Sequence, residues 1–441
     1  MGTLSVEVIS KEIIKPSSPT PDHLTHYKLS FNDQLSPPVY NPMVLFFAPD
    51  HSDIEFNIDD ISNRLKNSLS EVLTKYYPLA GRFKENRFIH CNDEGIPYVK
   101  TQVKCNLSDV INNPIPGELN KLVPFELDAL TDITFGVQLN VFECGAIGIG
   151  ACMSHKIADA LSFFVFLKIW AATTFGGDNI ESPQFEAATL FPPKDLSGYA
   201  SGFGIIKENI ITKRYVFDAS MIETLRAKYA DNEGLENQKQ PSRVEALSTF
   251  IWTRFVAATK DESGPEKLYT VNHAVNLRPR TDPPQPQSSF GNLFSIAITI
   301  PILKNGDEGQ GLVHQVREEI SKIDKNYVKK LGEGSQHLSF MRDRASRFTK
   351  GEIVTFSFTS LCRFPLYETD FGWGKPIWVG SPALTFKNLV FFMDTPSSDG
   401  IEAYVSLKKE EMAKFESDEE FLTFVSLPGI HLKNLRVGVN K

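Results

Sequence analysis

The chain has 441 residues, of which 41% are hydrophobic, and a formal net charge of −8. This length predicts two or three domains, and the 33 Phe residues can fill large apolar cores. The acidic balance argues against a general attraction to nucleic acid or to an anionic membrane surface. The five Cys residues show no C-x-x-C spacing, which argues against a zinc site and a disulfide framework.

The N-terminal region has no apolar segment of signal-peptide type, and the chain has no run of 18 apolar residues. We therefore expect a cytoplasmic protein without a membrane-spanning segment. The histidines show no spacing typical of a metal site, and no Gly-rich phosphate-binding motif follows a predicted strand. We expect neither a metal ion nor a nucleotide held by such a motif.

The first half of the sequence mixes predicted strands and helices. Apolar residues at three- and four-residue spacing predict an amphipathic helix over 58–76, which Tyr77-Pro78 ends. The small and apolar run 146–152 predicts a buried strand, and the apolar run 160–175 predicts a helix. The other strands predicted in this half are 44–47, 88–91, 98–104 and 135–142.

Residues 191–208 are aperiodic and contain several Pro and Gly, which predicts a linker. It would separate an N-terminal domain, 1–190, from a C-terminal domain, 209–441. In the second half, Ser242 and Glu245 have the spacing of a helix capping box. The other elements predicted there are helices at 220–229 and 312–331 and strands at 213–217, 269–276, 293–302, 355–362, 389–393 and 401–407.

His155 lies at the junction between the predicted buried strand and the apolar helix. Rigid elements would hold the imidazole at this position, and Asp159 could brace the turn. Histidine is the side chain whose ordinary pKa allows proton transfer near neutral pH. A motif of the form His-x-x-x-Asp also occurs by chance, so catalysis by His155 needs support from other features.

Three further features each allow two interpretations. The stretch Asp370-Phe371-Gly372-Trp373-Gly374 predicts either a loop that shapes a site or a surface turn around a packed Trp. Arg278 and Arg280 follow a predicted strand, where one could pair with a buried Asp or both could be solvated. Gly291-Asn292 precedes a strand, where the Gly allows a ligand close to the backbone or makes a plain turn.

Together, the His155–Asp159 motif and the loop 370–374 resemble the paired signatures of the BAHD acyl-CoA-dependent acyltransferases of plants. The resemblance extends over nearly the whole chain and includes Tyr77-Pro78-Leu79-Ala80-Gly81-Arg82 and Asn276-Leu277-Arg278. Residues 14–21, Ile-Lys-Pro-Ser-Ser-Pro-Thr-Pro, are similar to the group of this family that includes vinorine synthase and deacetylvindoline acetyltransferase.

The resemblance implies an α/β fold of two chloramphenicol-acetyltransferase-like domains, each a mixed β-sheet flanked by helices. A solvent channel would run between them, with His155 at its middle. Acyl-CoA, most simply acetyl-CoA, would enter from one face as a co-substrate and a small-molecule alcohol from the other, with no permanently bound cofactor. Because one chain contains both halves of such a channel, we expect a monomer.

The resemblance also implies the roles of individual residues. His155 would be the general base, and Asp159 would point away from the site and pair with Arg278. Thr359 would donate a hydrogen bond to the oxyanion, together with the backbone N–H of Leu361. The residues expected to support the channel shape are Asp370, Gly372, Trp373 and Gly374, and those expected to bind CoA are Ser242, Arg243, Gly291 and Asn292.

Two positions depart from the family pattern. Ala160 stands where the family usually has Gly, and Leu361 stands where it often has Trp. Ala is tolerated where the backbone is already helical, so we expect activity. The smaller Leu361 would widen or reshape the acceptor side of the channel.

The predicted function is transfer of an acetyl or other short acyl group from CoA to a hydroxyl of a plant specialised metabolite, an alkaloid or terpenoid alcohol. Formation of acylated sugars or of phenylpropanoid esters is one alternative. A non-catalytic member that binds CoA esters is another. The sequence leaves open the acceptor, the donor chain length and the regiochemistry.

Overall fold

The computed structural model describes residues 3–48, 57–129, 131–177, 181–196, 209–230, 240–259, 268–302, 309–333, 346 and 352–426. The strands of these residues, β1 to β15 in chain order, are Val6–Ile14, His26–Lys28, Tyr40–Phe47, Arg82–Lys84, Phe88–His90, Ile96–Val103, Phe135–Phe142, Ile147–Ser154, Ile210–Phe217, Leu268–Asn276, Phe294–Thr299, Ile353–Ser360, Trp378–Gly380, Leu389–Asp394 and Ile401–Lys408. Their helices α1 to α12 are Phe31–Leu35, Ile58–Lys75, Leu107–Ile111, Pro116–Leu119, Ala160–Phe175, Ala187–Leu190, Ala219–Lys228, Arg243–Thr259, Gln310–Ser321, Lys325–Glu333, Lys409–Phe415 and Glu419–Thr423.

The first half is built on a six-stranded mixed sheet with the order β1-β6-β7-β8-β3-β13. Strands β7 and β8 are buried along their whole length because helices cover both faces, which explains the small and apolar sequence of β8. Helices α2 and α5 bury Leu69 and Trp170 against one face. Leu107 of α3 and Leu119 of α4 pack against Phe46 on the other.

The second half repeats this architecture with the order β11-β10-β12-β14-β15-β9. Strands β10, β12 and β14 run parallel, and the remaining pairs are antiparallel. Helix α8 buries Phe250 and Ile251 against this sheet. A mixed sheet with packed helices in each half confirms the predicted α/β class. A third sheet, β2-β5-β4, has three short strands.

One strand of the first sheet comes from the second half of the chain. Residues Trp378–Gly380 of β13 pair antiparallel with β3. Trp378 stacks on Phe46 with the ring centroids 5.1 Å apart, and its Nε1 donates to Oε1 of Glu402 on β15 at 3.2 Å. No local pattern in the sequence predicts this crossing. The predicted boundaries stay a prediction, and 197–208 of the linker lie outside the described residues.

Most predicted elements agree with the structure to within a few residues, and one needs correction. The predicted helix over 58–76 is Ile58–Lys75, and that over 160–175 is Ala160–Phe175. The single helix predicted over 312–331 is wrong, because the chain forms α9 and α10 with a break between them. Asp324 produces the break, since its carboxylate accepts the backbone N–H of Tyr327 at 2.8 Å and caps a new helix.

Candidate active site

A cavity of about 1630 Å³ is lined by residues of both halves of the chain. Five of the predicted site residues line it: His155, Asp159, Arg278, Thr359 and Leu361. They come from the end of β8, the start of α5, the segment after β10 and the end of β12. The fold therefore brings together residues separated by more than 200 positions.

His155 immediately follows the buried strand β8, as the sequence predicts. Its backbone N–H donates to the carbonyl of Val39 at 2.8 Å, which continues the pairing between β8 and β3 by one residue. The imidazole lies 5.7 Å from the ring of Phe294, centroid to centroid. Its Nδ1 is 3.1 Å from Oδ1 of Asn292, so the second half of the chain fixes the ring orientation.

The contacts of Asn292 define which nitrogen of His155 carries the proton. The Nδ2 group of Asn292 donates to Oδ1 of Asp33 and to the carbonyl of His155, both at 2.8 Å. Its Oδ1 is therefore the atom that faces the imidazole, and an amide oxygen only accepts. Nδ1 of His155 must then be the donor, which leaves Nε2 as the nitrogen able to accept a proton.

Burial lowers the pKa of His155 below its ordinary value. The negative charge of Asp159 and the hydrogen bond with Asn292 raise the pKa again and offset part of this effect. Desolvation disfavours the charged imidazolium, and a nearby carboxylate favours it. The imidazole is consequently neutral at neutral pH, the form that a general base requires.

Asp159 is the N-cap of α5 and is held by an ion pair from the other half of the chain. Its Oδ1 accepts the backbone N–H of Ser162 at 2.9 Å. Arg278 donates to both carboxylate oxygens, at 2.8 Å to Oδ2 and 3.1 Å to Oδ1. The expected pairing of Asp159 with Arg278 is thus present in the structure, and both side chains are buried.

Four donors surround the Asp159 carboxylate and set its charge. Burial raises the pKa of Asp159, but the Arg278 charge, with hydrogen bonds from Arg278, Ser162 and Leu293, outweighs burial and holds the pKa below its ordinary value. The carboxylate is therefore ionised, and each of its oxygens accepts two hydrogen bonds. It braces the turn that carries His155, and has no hydrogen bond to the imidazole among those that the described residues form.

Thr359 and Leu361 line the cavity near the end of β12. The structure is compatible with the predicted role of Thr359 but not with that of Leu361. The backbone N–H of Leu361 donates to the carbonyl of Phe392 at 2.8 Å, in the extension of the pairing between β12 and β14. The expectation that this N–H serves an oxyanion is wrong, because the sheet already uses it. Thr359 keeps a position in the cavity wall compatible with its predicted role.

The four residues expected to bind CoA are not among those that line the cavity. Ser242 caps α8 by accepting the N–H of Glu245 at 3.2 Å, which confirms the capping box. Arg243 pairs with Asp394 at 2.9 Å. Gly291 exchanges hydrogen bonds with Ser162 of α5, so the pair Gly291-Asn292 holds the motif turn instead of facing the cavity.

The loop 370–374 also lies outside the cavity lining. The Asp370 carboxylate accepts the backbone N–H groups of Gly372 at 2.8 Å and Gly374 at 3.0 Å. Both glycines have φ of 100°, a left-handed conformation that favours Gly. Phe371 is fully buried and stacks on Trp373, with the ring centroids 5.5 Å apart.

Sequence reasoning missed two buried charged residues beside the base. Asp33 in α1 contacts Asn292, and Lys156 donates to the carbonyls of Gln34 at 2.7 Å and Ser36 at 3.0 Å. Burial lowers the pKa of Lys156 to about 8. The spacing of Ser30 and Asp33 is that of a capping box, a local signal that could have identified α1.

The comparisons with known proteins are consistent with this geometry. The transferase family model matches residues 4–422. Stemmadenine O-acetyltransferase of Catharanthus roseus is 38% identical over 94% of this chain and 96% of its own length. Vinorine synthase of Rauvolfia serpentina is 36% identical over 92% and 95% of the two chains. The chain belongs to the BAHD transferase family.

Solved structures of related proteins agree with this assignment. The crystal structure of vinorine synthase, 33% identical, matches with a TM-score of 0.81 over 96% of this BAHD chain and 99% of that chain. TRI101 of F. sporotrichioides, complexed with coenzyme A and T-2, has a TM-score of 0.70 at 18% identity and shows the shared fold alone. The two predicted domains of acyltransferase type and the predicted enzyme class, an acyltransferase, are confirmed.

The described residues contain neither a candidate membrane span nor a candidate metal site. Within them, no helix is both long and apolar enough to cross a membrane. The same residues contain no group of three or more His, Cys, Asp or Glu side chains arranged to hold a metal ion.

Proposed function

We propose that this BAHD enzyme transfers an acetyl or other short acyl group from CoA to the hydroxyl of an apolar polycyclic alcohol, with His155 as general base. The observation that carries the proposal is the Asn292 contact, which leaves Nε2 of His155 as the proton acceptor in a cavity large enough for two substrates. Relatives named as O-acetyltransferases support the donor.

The proposed reaction needs no acyl-enzyme. Nε2 of His155 takes the proton of the acceptor hydroxyl while its oxygen attacks the thioester carbonyl carbon. The tetrahedral oxyanion collapses, the carbon–sulfur bond breaks, and His155 returns the proton to the CoA sulfur. Asp159 acts as a positioning residue, because Arg278, Ser162 and Leu293 already occupy its oxygens.

Thr359 is the proposed oxyanion donor. It lies on β12 where the strand reaches the cavity, and a hydroxyl can donate one hydrogen bond to developing charge. Removal of one such donor commonly lowers kcat about 10²–10³-fold. Binding of CoA near Ser242 and Arg243 rests on the family resemblance alone, and a phosphate there would compete with Asp394 for Arg243.

The chemistry of the cavity wall supports an apolar acceptor. Seven Phe side chains line it: Phe163, Phe164, Phe294, Phe358, Phe364, Phe386 and Phe391. Phe164 packs against Phe163 and Phe364, with ring centroids 5.5 and 6.2 Å away. Such a wall suits a rigid ring system with one hydroxyl better than a sugar, whose many hydroxyls need polar partners. Two relatives, limonoid 21-O-acetyltransferase of Melia azedarach and stemmadenine O-acetyltransferase, are named for a limonoid and for stemmadenine as acceptors.

The alternative of a non-catalytic CoA-ester-binding protein loses its main support. Of the two departures in its favour, Ala160 and Leu361, Ala160 is the first residue of α5 and lies in regular helical backbone. Ala is a favourable residue at such a position. The remaining departure, Leu361, is buried in the cavity wall and affects its shape. A cytoplasmic location and a monomeric state are proposals that rest on the sequence.

The test measures CoA thiol release from a panel of acyl-CoAs, each with triterpenoid, alkaloid, sugar and phenylpropanoid alcohols, followed by mass spectrometry of the products. We expect acceptor-dependent release from acetyl-CoA and an ester of a polycyclic alcohol. His155→Ala should lower turnover about 10²–10⁴-fold. His23→Ala is the matched control, because His23 is exposed and outside the cavity lining.

Three results would contradict the proposal in whole or in part. Equal turnover by His155→Ala and His23→Ala would exclude general-base catalysis by His155. Binding of acetyl-CoA without release for any alcohol would favour the non-catalytic alternative. Ester formation only with sugars would retain the reaction and overturn the acceptor class.

A further inference from the structure

The carboxylate of Asp33 is completely buried and has hydrogen-bond donors on both oxygens. Its Oδ2 accepts the backbone N–H of Ser30 at 2.8 Å. Its Oδ1 accepts two groups of Asn292, the backbone N–H at 3.0 Å and Nδ2 at 2.8 Å. Burial raises the pKa of Asp33, and the hydrogen bonds from Ser30 and Asn292 oppose that rise. All three partners donate, so the geometry is that of an acceptor-only carboxylate.

Asn292 connects this carboxylate to the base. One end of its amide faces Asp33 and the other faces Nδ1 of His155. The side-chain amide of Asn can flip by 180°, which exchanges the positions of its oxygen and its nitrogen. The hydrogen-bond partners decide which of the two orientations is stable. With Asp33 as an acceptor, the nitrogen must face Asp33, and the oxygen must then face His155.

The alternative orientation would be inactive. If Nδ2 of Asn292 faced the imidazole, it would donate to Nδ1, and the ring proton would move to Nε2. The nitrogen that should accept the substrate proton would then be blocked. Lys156 supports the first orientation. Its positive charge lies near Asp33, and its Nζ donates to the carbonyls of Gln34 and Ser36 in the same segment.

We propose that Asp33 is a positioning residue for the acyl transfer: through Asn292, it holds His155 in the tautomer with the proton on Nδ1. The proposal rests on the proposed function, in which Nε2 is the base. It extends that function, because it places one determinant of the reaction in α1, more than 120 residues before His155 in the sequence.

The first experiment needs no variant and no turnover. Nitrogen-15 NMR of the full chain, with the signals of His155 assigned by their loss in His155→Gln, reports which ring nitrogen carries the proton. We expect the Nδ1–H form in the wild type at neutral pH. A predominant Nε2–H form would overturn the proposal, whatever the outcome of the acyl-transfer assay.

The second experiment compares Asp33→Asn with Ser30→Ala. An Asn at position 33 has one oxygen for three donors. Its NH₂ group would therefore face the donor groups of either Ser30 or Asn292, with no hydrogen bond between them. We expect part of His155 to change to Nε2–H and kcat to fall about 10- to 100-fold, with KM for acetyl-CoA nearly unchanged. Ser30→Ala weakens the same helix cap but leaves Asn292 its acceptor, and should keep the wild-type tautomer.

The outcomes separate the two proposals. If Asp33→Asn keeps the Nδ1–H form and the kcat of Ser30→Ala, the positioning role of Asp33 is wrong while the proposed function stands. If the wild type transfers no acyl group, the proposed function fails, and the NMR result still decides the tautomer.

Discussion

The two motif loops of this chain hold their aspartates in different ways. Asp159 lines the cavity and forms an ion pair with the guanidinium of Arg278, which belongs to the other half of the chain. Asp370 closes its own loop by accepting the N–H groups of Gly372 and Gly374, away from the cavity. Similar short motifs in the sequence thus make one long-range connection and one local turn. The loop of Asp370 also contacts the first half of the chain, since Nη2 of Arg64 donates to the carbonyl of Phe371 at 3.4 Å, but only the Asp159–Arg278 pair lies in the turn that carries His155.

The largest expected effect is the loss of the long-range connection. Arg278→Met should lower the free energy of unfolding by about 3–5 kcal/mol, because it leaves the buried charge of Asp159 without its partner. Chemical denaturation at neutral pH measures this. Asp370→Asn is the control. It weakens the hydrogen bonds from Gly372 and Gly374 in a partly exposed loop, and should lower the free energy of unfolding by only about 1 kcal/mol. Equal losses in both variants would contradict the distinction between the loops.

The same pair has a defined pH dependence. The folded-state pKa of Asp159 lies below its ordinary value, so its contribution to stability is present above that value and lost as the pH falls through the folded-state pKa. The difference in stability between wild type and Arg278→Met should therefore shrink towards acid pH.

An intermediate effect is expected within the local turn. Gly372 and Gly374 both have φ of 100°, so an added Cβ strains either one by about 1–2 kcal/mol. At Gly372 that Cβ would also lie 2.7 Å from Nη2 of Arg64, whereas at Gly374 nothing lies within 4 Å. Gly372→Ala should thus be the less stable variant in thermal unfolding, with kcat nearly unchanged in both. A large loss of kcat in Gly374→Ala would show that the loop acts on the base directly.

The smallest expected effect is a shift of the pH–rate profile. The kcat/KM should rise with pH to a plateau as His155 loses its proton, with a midpoint below the ordinary value of 6.5. Asp159→Asn removes a charge that raises the pKa of His155, so the midpoint should move further down. Asp370→Asn should leave it in place. A shift to higher pH in Asp159→Asn would contradict this account.

Local sequence signals predicted the elements that carry the base. The apolar runs 146–152 and 160–175 correspond to β8 and α5, and His155 lies between them. The capping box of Ser242 and Glu245 is present as predicted. Such signals work because strand burial and helix capping depend on residues close together in the chain. The break between α9 and α10 was missed, although Asp324 was a local signal for it.

The family resemblance predicted the pairing of Asp159 with Arg278 but not the role of every residue near the base. Asn292 was expected to bind CoA, and the structure places its amide against His155. The N–H of Leu361 was expected to serve an oxyanion, and it pairs with Phe392. Both errors have one cause, since the partners lie 137 and 31 positions away and nothing in the local sequence identifies them.

The sequence by itself determined the elements, the location of His155 at the end of a buried strand and the family to which the chain belongs. Each of these depends on periodicity, capping and motif spacing over short stretches of chain. The tertiary structure alone decided the crossing of Trp378–Gly380 into the first sheet and the set of donors and acceptors around His155. A hydrogen bond fixes the tautomer of an imidazole only when its partner is in place, and here Asn292 and Asp33 reach the base through the folding of three distant segments onto one another.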